Sequence, residues 1–119
     1  MRQAWEALER GDLDVIEAVL APEAKWRGVE DGPWNCESRK MILNTLTRDV
    51  LDGYFVHLED AFERSDRVVV AIRPDARRPS KWPLENGIRH LVVTMRDGVI
   101  TEIKGCADRR AALEYADAS

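Results

Sequence analysis

Apolar residues recur along this chain with two periods, and the change from one to the other divides it. Up to Gly53 the spacing is helical. Ala4, Trp5 and Leu8 share one side of residues 1–10. Gly11 suits a helix C′ position and Asp12 the next N-cap. A second helix carries Val15, Ile16, Val19 and Leu20, and Pro22 is expected to stop it. Residues 24–29 read as a short strand and 30–37 as a loop. Ser38 suits the N-cap of a third helix, in which Met41, Ile42, Thr45, Leu46 and Val50 repeat at helical spacing.

From Tyr54 the period is two. Residues 54–63 and 67–73 read as strands joined around Ser65-Asp66, and 74–86 as a loop rich in Pro and Arg. Residues 88–107 read as two long strands joined at Asp97-Gly98, a strong hairpin signal because both turn residues must reach φ > 0. Asp108 then N-caps a short helix holding Ala111, Ala112, Leu113 and Tyr115. The order predicts an α+β fold: three helices with one early strand, then a four-stranded antiparallel meander, with the helices gathered on one side.

A two-residue turn at Asp97-Gly98 pairs Arg96 with Val99, Thr94 with Thr101, Val92 with Ile103 and His90 with Gly105. Leu91, Val93, Met95 and Ile100 take the opposite face. The Ser65-Asp66 turn groups Leu58, Asp60 and Phe62 with Val69, Ala71 and Arg73, and puts His57, Glu59 and Ala61 with Val70 and Ile72. Both faces are apolar over much of their area, and helices on one side cover only one. The face of Val70, Ile72, Leu91, Val93 and Met95 is therefore expected to meet a second copy in a homodimer.

Composition narrows the classes. A chain of 119 residues is read as one domain, 1–119, and 45% hydrophobic with 34% charged residues is globular. Eighteen basic against 22 acidic residues, a net −4, argue against general nucleic-acid binding. With no apolar run near ~18 residues and no basic-then-apolar leader, neither a membrane span nor a secretory signal is expected, and the cytoplasm is the default location. Cys36 and Cys106 are then read as reduced thiols. His57 and His90 fall on opposite faces by parity, and no Cys/His cluster has ligand spacing, so neither a metal nor another cofactor is expected.

The run GDLDVIEAVLAPEAKWRG, followed by the meander and RDGVITEIKGCADRRAAL, resembles the SnoaL-like branch of the nuclear-transport-factor-two-like superfamily. The resemblance covers nearly the whole chain and rests on the order and spacing of the Gly-Asp between the first helices, the Ala-Pro-Glu-Ala before strand one, and the Asp-Gly-x-Ile hairpin with its Asp-capped helix. It implies a cystatin-like roll, in which a cone-shaped, curved antiparallel sheet packs on three to four helices around a pocket. It also implies a dimer through the outer sheet face. Ketosteroid isomerase is one member of that superfamily, but its base carboxylate falls here on Gly28 and its oxyanion-binding tyrosine on Ala4, with its second carboxylate near His90. Isomerisation of that kind is excluded. Epoxide hydrolases of this fold use an Asp–Arg–Asp set, to which this chain offers Asp60 and Arg73 on one face.

On the face taken to line the pocket, Asp60, Arg73 and His90 are the catalytic candidates, with Leu58, Phe62, Thr94 and Thr101 around them. A carboxylate among apolar residues is raised in pKa by burial and lowered by a neighbouring Arg, so Asp60 suits a base and Arg73 its orienter. His90 suits a proton donor. The bland alternatives are a structural Asp–Arg pair and a hydrogen-bonded sheet histidine. Trp26 matches an inward-facing position of the resembled family and, with Trp34, would give the pocket an aromatic wall; the alternative for Trp26 is plain core. Such a wall fits a small apolar or aromatic molecule. Arg77, Arg78, Lys81 and Trp82 read as a solvated loop or lid, and Cys36 has no base placed beside it. Three functions stay open: a small-molecule pocket of unassigned role, an enzyme doing proton-transfer or hydrolytic chemistry (cyclase, isomerase or epoxide-hydrolase type), and a non-catalytic dimeric interaction module.

Overall fold

The computed structural model describes residues 6–7, 10–30, 32–33, 35–51, 56–74 and 84–118. The elements run α1 (Leu13–Val19), β1 (Leu20–Arg27), α2 (Arg39–Leu51), β2 (Val56–Arg64), β3 (Arg67–Pro74), β4 (Arg89–Arg96), β5 (Val99–Cys106) and α3 (Arg109–Asp117). This is the expected α+β class. Most of the predicted first helix, including Trp5, lies outside the described residues, as do Trp34 and the basic loop of Arg77, Arg78, Lys81 and Trp82. Its end is visible: Gly11 adopts φ 74° and the Asp12 amide donates to Ala7 O at 2.7 Å. That 6→1 bond through a left-handed C′ residue is a Schellman closure. The Asp12 side chain makes no cap bond to α1.

Pro22 does not stop α1. The helix ends at Val19 and the chain passes directly into β1, with Pro22 inside the strand. β1 is an edge strand whose register breaks between Leu20 and Lys25, and both features accommodate a residue without an N–H. Ser38 does cap α2, its Oγ accepting from the Met41 amide at 3.3 Å. Ile42 and Leu46 are buried in that helix, while Met41 and Thr45 face solvent.

The five strands lie in the order β1-β5-β4-β3-β2. β2 to β5 form the antiparallel meander, and β1 joins β5 in parallel, so the sheet is mixed. Asp97 and Gly98 take φ 52° and 80°, the type I′ geometry that Asp-Gly favours. Two bulges displace the registers expected from turn counting. One lies between Leu58 and Asp60, so Leu58 pairs with Ile72 while Asp60 pairs with Ala71. The other adds Thr101 to β5, so Thr94 pairs with Glu102, Val92 with Lys104, and His90 with Cys106 rather than Gly105. An extra residue shifts everything beyond it to the other face.

The face carrying Val68, Val70, Ile72, Leu91, Val93, Ile100 and Ile103 packs on Ile16, Ile42 and Leu46 of α1 and α2, in one buried cluster. We term it the inner face. It is the face expected to be uncovered and to seat a second copy, and the chain's own helices cover it: Val70 and Val93 are both 0% exposed. Val70, Ile72, Leu91 and Val93 are therefore interior and offer no open surface to a second copy. The outer face is covered in part by α3, whose Ala112 and Ala116 sit on Val69, Val92 and Cys106. The helices thus flank the sheet on both sides. The physical cause is local: Asp108 accepts from the Ala111 amide at 2.8 Å, turning the chain straight from β5 into a helix that folds back over the outer face.

Candidate functional site

Half-buried apolar side chains border the closed core: Trp26 on the β1 edge, Leu43 on α2, Val56 and Leu58 on the β2 edge, and Met95 and Val99 beside the β4–β5 turn. Trp26 is held by register with Ile103 on β5 and by a pair of backbone hydrogen bonds with Cys36, at 2.9 and 2.8 Å. That bridge, together with Asn35 Oδ1 accepting from the Gly28 amide at 2.9 Å, ties the segment after β1 to the strand. Cys36 is buried, with its Sγ 3.6 Å from Thr45 Oγ1 on α2. Leu58 lies opposite Ile72, which lies opposite Arg89. Register therefore places the half-buried Arg89 on the inner face, at the end away from the β2–β3 turn, where sequence reading had passed over it. Glu63, paired with Val68, is exposed near that turn.

The predicted pocket residues divide between the two faces. Trp26 and Leu58 are inside. Asp60, Phe62, Arg73, His90 and Thr94 are outside, because Asp60, Ala71, His90 and Cys106 form one row across the sheet beneath α3. Thr101 is the bulge residue, its Oγ1 donating to Thr94 O at 3.3 Å, while Thr94 Oγ1 is buried without a partner among the described residues. Each of the three catalytic candidates makes a contact with a residue outside the set. Arg73 Nε donates to Glu59 Oε1 at 2.6 Å. Asp60 Oδ2 lies 3.7 Å from Arg109 Nη1 with its side chain 54% exposed. His90 is 5% exposed, its Nε2 3.1 Å from Glu85 Oε1. That approach is off the line of a good hydrogen bond, and Nδ1 has no partner among the described residues. The bulge at Leu58 also brings His57 opposite Arg73, onto the same face as Asp60 and His90.

These outer-face groups hold α3. At its N-terminus Glu85 Oε1 accepts from the Arg109 amide at 3.3 Å, and the Arg109 guanidinium lies over the Phe62 ring at 5.2 Å. At its C-terminus one Arg67 Nη1 donates to Tyr115 O and Ala118 O, each at 2.6 Å, and Arg64 pairs with Asp117 at 3.2 Å. The Tyr115 hydroxyl donates to Glu102. Burial, then the hydrogen bond and charge of Glu102, push the Tyr115 hydroxyl up to about 12. Burial likewise pushes the Cys106 thiol up, with Lys104 pulling it down and Asp108 adding to the rise. Glu85 was missed in the sequence, although its signal was there. Asn86 and Gly87 adopt φ 54° and 79°, and Glu85 and Ile88 exchange both backbone bonds at 2.9 Å, a second type I′ hairpin inside what reads as a loop.

Among the described residues no three His, Cys, Asp or Glu side chains gather as metal ligands, and no helix is long and apolar enough to cross a membrane. A family model described as SnoaL-like domain matches residues 1–103. Among curated proteins no match was found. Among solved structures, one similar chain is a protein from Sinorhizobium meliloti provisionally termed a polyketide cyclase, at 19% identity over 85% of this chain and 87% of that one, TM-score 0.69. An NTF2-like protein of unknown function from Mesorhizobium loti aligns at 19% identity over 89% and 85%, TM-score 0.68. An LEH-like epoxide hydrolase of M. tuberculosis aligns at 16% identity over 92% and 80%, TM-score 0.65. At these identities the likeness is one of fold.

Proposed function

This chain belongs to the SnoaL-like domain family, and from that premise we propose that it holds a small apolar or aromatic molecule on its inner face, between the sheet and α1 and α2. The observation that carries this reading is the set of half-buried apolar side chains there, Trp26, Leu43 and Leu58 among them, set beside a fully buried core. A surface of that kind loses contact with water when a planar or aliphatic ligand lies on it, at roughly 25 cal/mol per Å² of apolar area. Arg89 supplies a positive charge at the end of the same face, suited to orienting a carbonyl or acidic oxygen of the ligand. The role is one of binding and positioning. Asp60, Arg73 and His90, the acid–base candidates, stand on the outer face with other partners, so chemistry routed through them would not reach a molecule held inside.

The test is native mass spectrometry of the protein purified from its own host, followed by thermal-shift titration with 1-naphthol as an aromatic probe. Leu58→Trp fills the inner face in the row of Arg89, and Trp26→Ala removes an aromatic wall. Either substitution is expected to weaken probe binding at least ~10-fold, a loss of about 1.4 kcal/mol. Arg89→Gln should weaken an acidic naphthoate more than naphthol. Equal binding by wild type and Leu58→Trp would place the ligand elsewhere.

A further inference from the structure

We propose that Cys106, His90 and Glu85 form a covered thiol site on the outer face, which reacts with low-molecular-weight disulfides when α3 lifts. Three observations carry it. First, His90 and Cys106 are direct cross-strand partners on adjacent antiparallel strands, so their side chains stand side by side on one face, with Cβ atoms about 4.5–5.5 Å apart. Second, His90 is 5% exposed and its Nδ1 has no partner among the described residues, an arrangement that costs the folded protein stability and is uncommon among buried polar groups. Its other nitrogen faces the Glu85 carboxylate at 3.1 Å. Third, the cover over Cys106 is light. α3 has nine residues; Ala112 and Ala116 are the ones buried on the sheet, and Ala111, Leu113 and Tyr115 pack beside them only partly buried. Polar ties at its two ends, Glu85 and Asp60 at one and Arg67 and Arg64 at the other, do much of the holding. A helix held in this way opens at lower free energy than the sheet beneath it.

Closed, the thiol is buried at 5% exposure and inert. Open, burial no longer disfavours the thiolate, and the Lys104 charge favours it. His90 Nδ1 then takes the Cys106 proton, and the thiolate sulfur attacks one sulfur of the disulfide. The reagent's S–S bond breaks as the new one forms, and the departing thiolate carries off the electron pair and recovers the proton from His90. Cys106 ends oxidised as a mixed disulfide, and half of the reagent leaves reduced as a thiol.

The experiment uses the full chain carrying Cys36→Ala, with 5,5′-dithiobis(2-nitrobenzoate) as the probe and intact mass as a second readout. One mixed disulfide is expected, at Cys106. Arg67→Ala, which releases the C-terminal tie of α3, should raise its rate at least ~10-fold. On that background His90→Gln should lower the rate about 10-fold at pH 7 and leave it rising with pH as a simple thiol does. Glu85→Gln should fall between. If Arg67→Ala does not fold, Asp117→Asn, which cuts only the exposed Arg64 pair, replaces it. A Cys106 that stays unreactive with α3 loosened overturns the site. A His90→Gln rate equal to its parent also overturns it, leaving only an exposed thiol.

Discussion

Replacing Arg67 with alanine tests whether α3 belongs to the fold or merely lies on it. One Arg67 nitrogen donates to two terminal carbonyls of the helix, Tyr115 O and Ala118 O, at 2.6 Å each, and the guanidinium stacks on the Tyr115 ring at 5.2 Å. A hydrogen bond to a charged group contributes roughly 1.5–3 kcal/mol, and the lower end applies here because Ala118 is exposed and water can replace the donor. The positive charge at the helix C-terminus adds about 0.3–1 kcal/mol, and the ring contact about 0.5–1. These overlap, so the expected loss is about 2–3 kcal/mol. At about 2.1 cal/mol/K of unfolding entropy per residue, a chain this long loses roughly 4 °C per kcal/mol, so Tm should fall by about 8–12 °C. Circular dichroism melting at pH 7 reads the fall, and hydrogen exchange of the α3 amides reads its locality. Arg67→Lys keeps the charge without the fork and should recover about half. A fall below ~3 °C with unchanged α3 exchange would refute the reasoning, because it would mean the two carbonyls lose nothing with their donor.

Val93→Glu should give no cooperatively melting soluble protein, since Val93 is 0% exposed and an unpaired carboxylate there has no partner in the surrounding apolar cluster; a stable, soluble variant would put Val93 on an open surface. For pH dependence, the folded state holds the Tyr115 proton up to about 12, above the ordinary value of 10.0, so the denatured chain ionises first. The stability tied to that proton is fully present below about pH 10 and is lost between about 10 and 12. Urea melts at pH 8, 10 and 11 should show Tyr115→Phe falling less steeply than wild type over the last step; parallel curves would refute the assignment.

What the chain determines by itself is local. The Gly11 helix end, the Ser38 and Asp108 caps and the Asp97-Gly98 turn were legible because each depends on the conformational preferences of a few adjacent residues. So was the α+β class, which needs only the two periods. Asn86-Gly87 was legible by the same rule and went unread, and with it Glu85. Which face each side chain takes was not local. One unpaired residue at each of two bulges moved Leu58 inside and aligned His90 with Cys106, and a bulge reflects twist and packing across neighbouring strands rather than the identity of the bulged residue. Likewise, whether helices cover Val70 and Val93 depends on where α1 and α2 dock, which hydrophobic periodicity cannot say, because both faces of these strands are apolar. Tertiary packing alone therefore decided that Trp26 and Leu58 share one surface while Asp60 and His90 lie beneath α3 on the other.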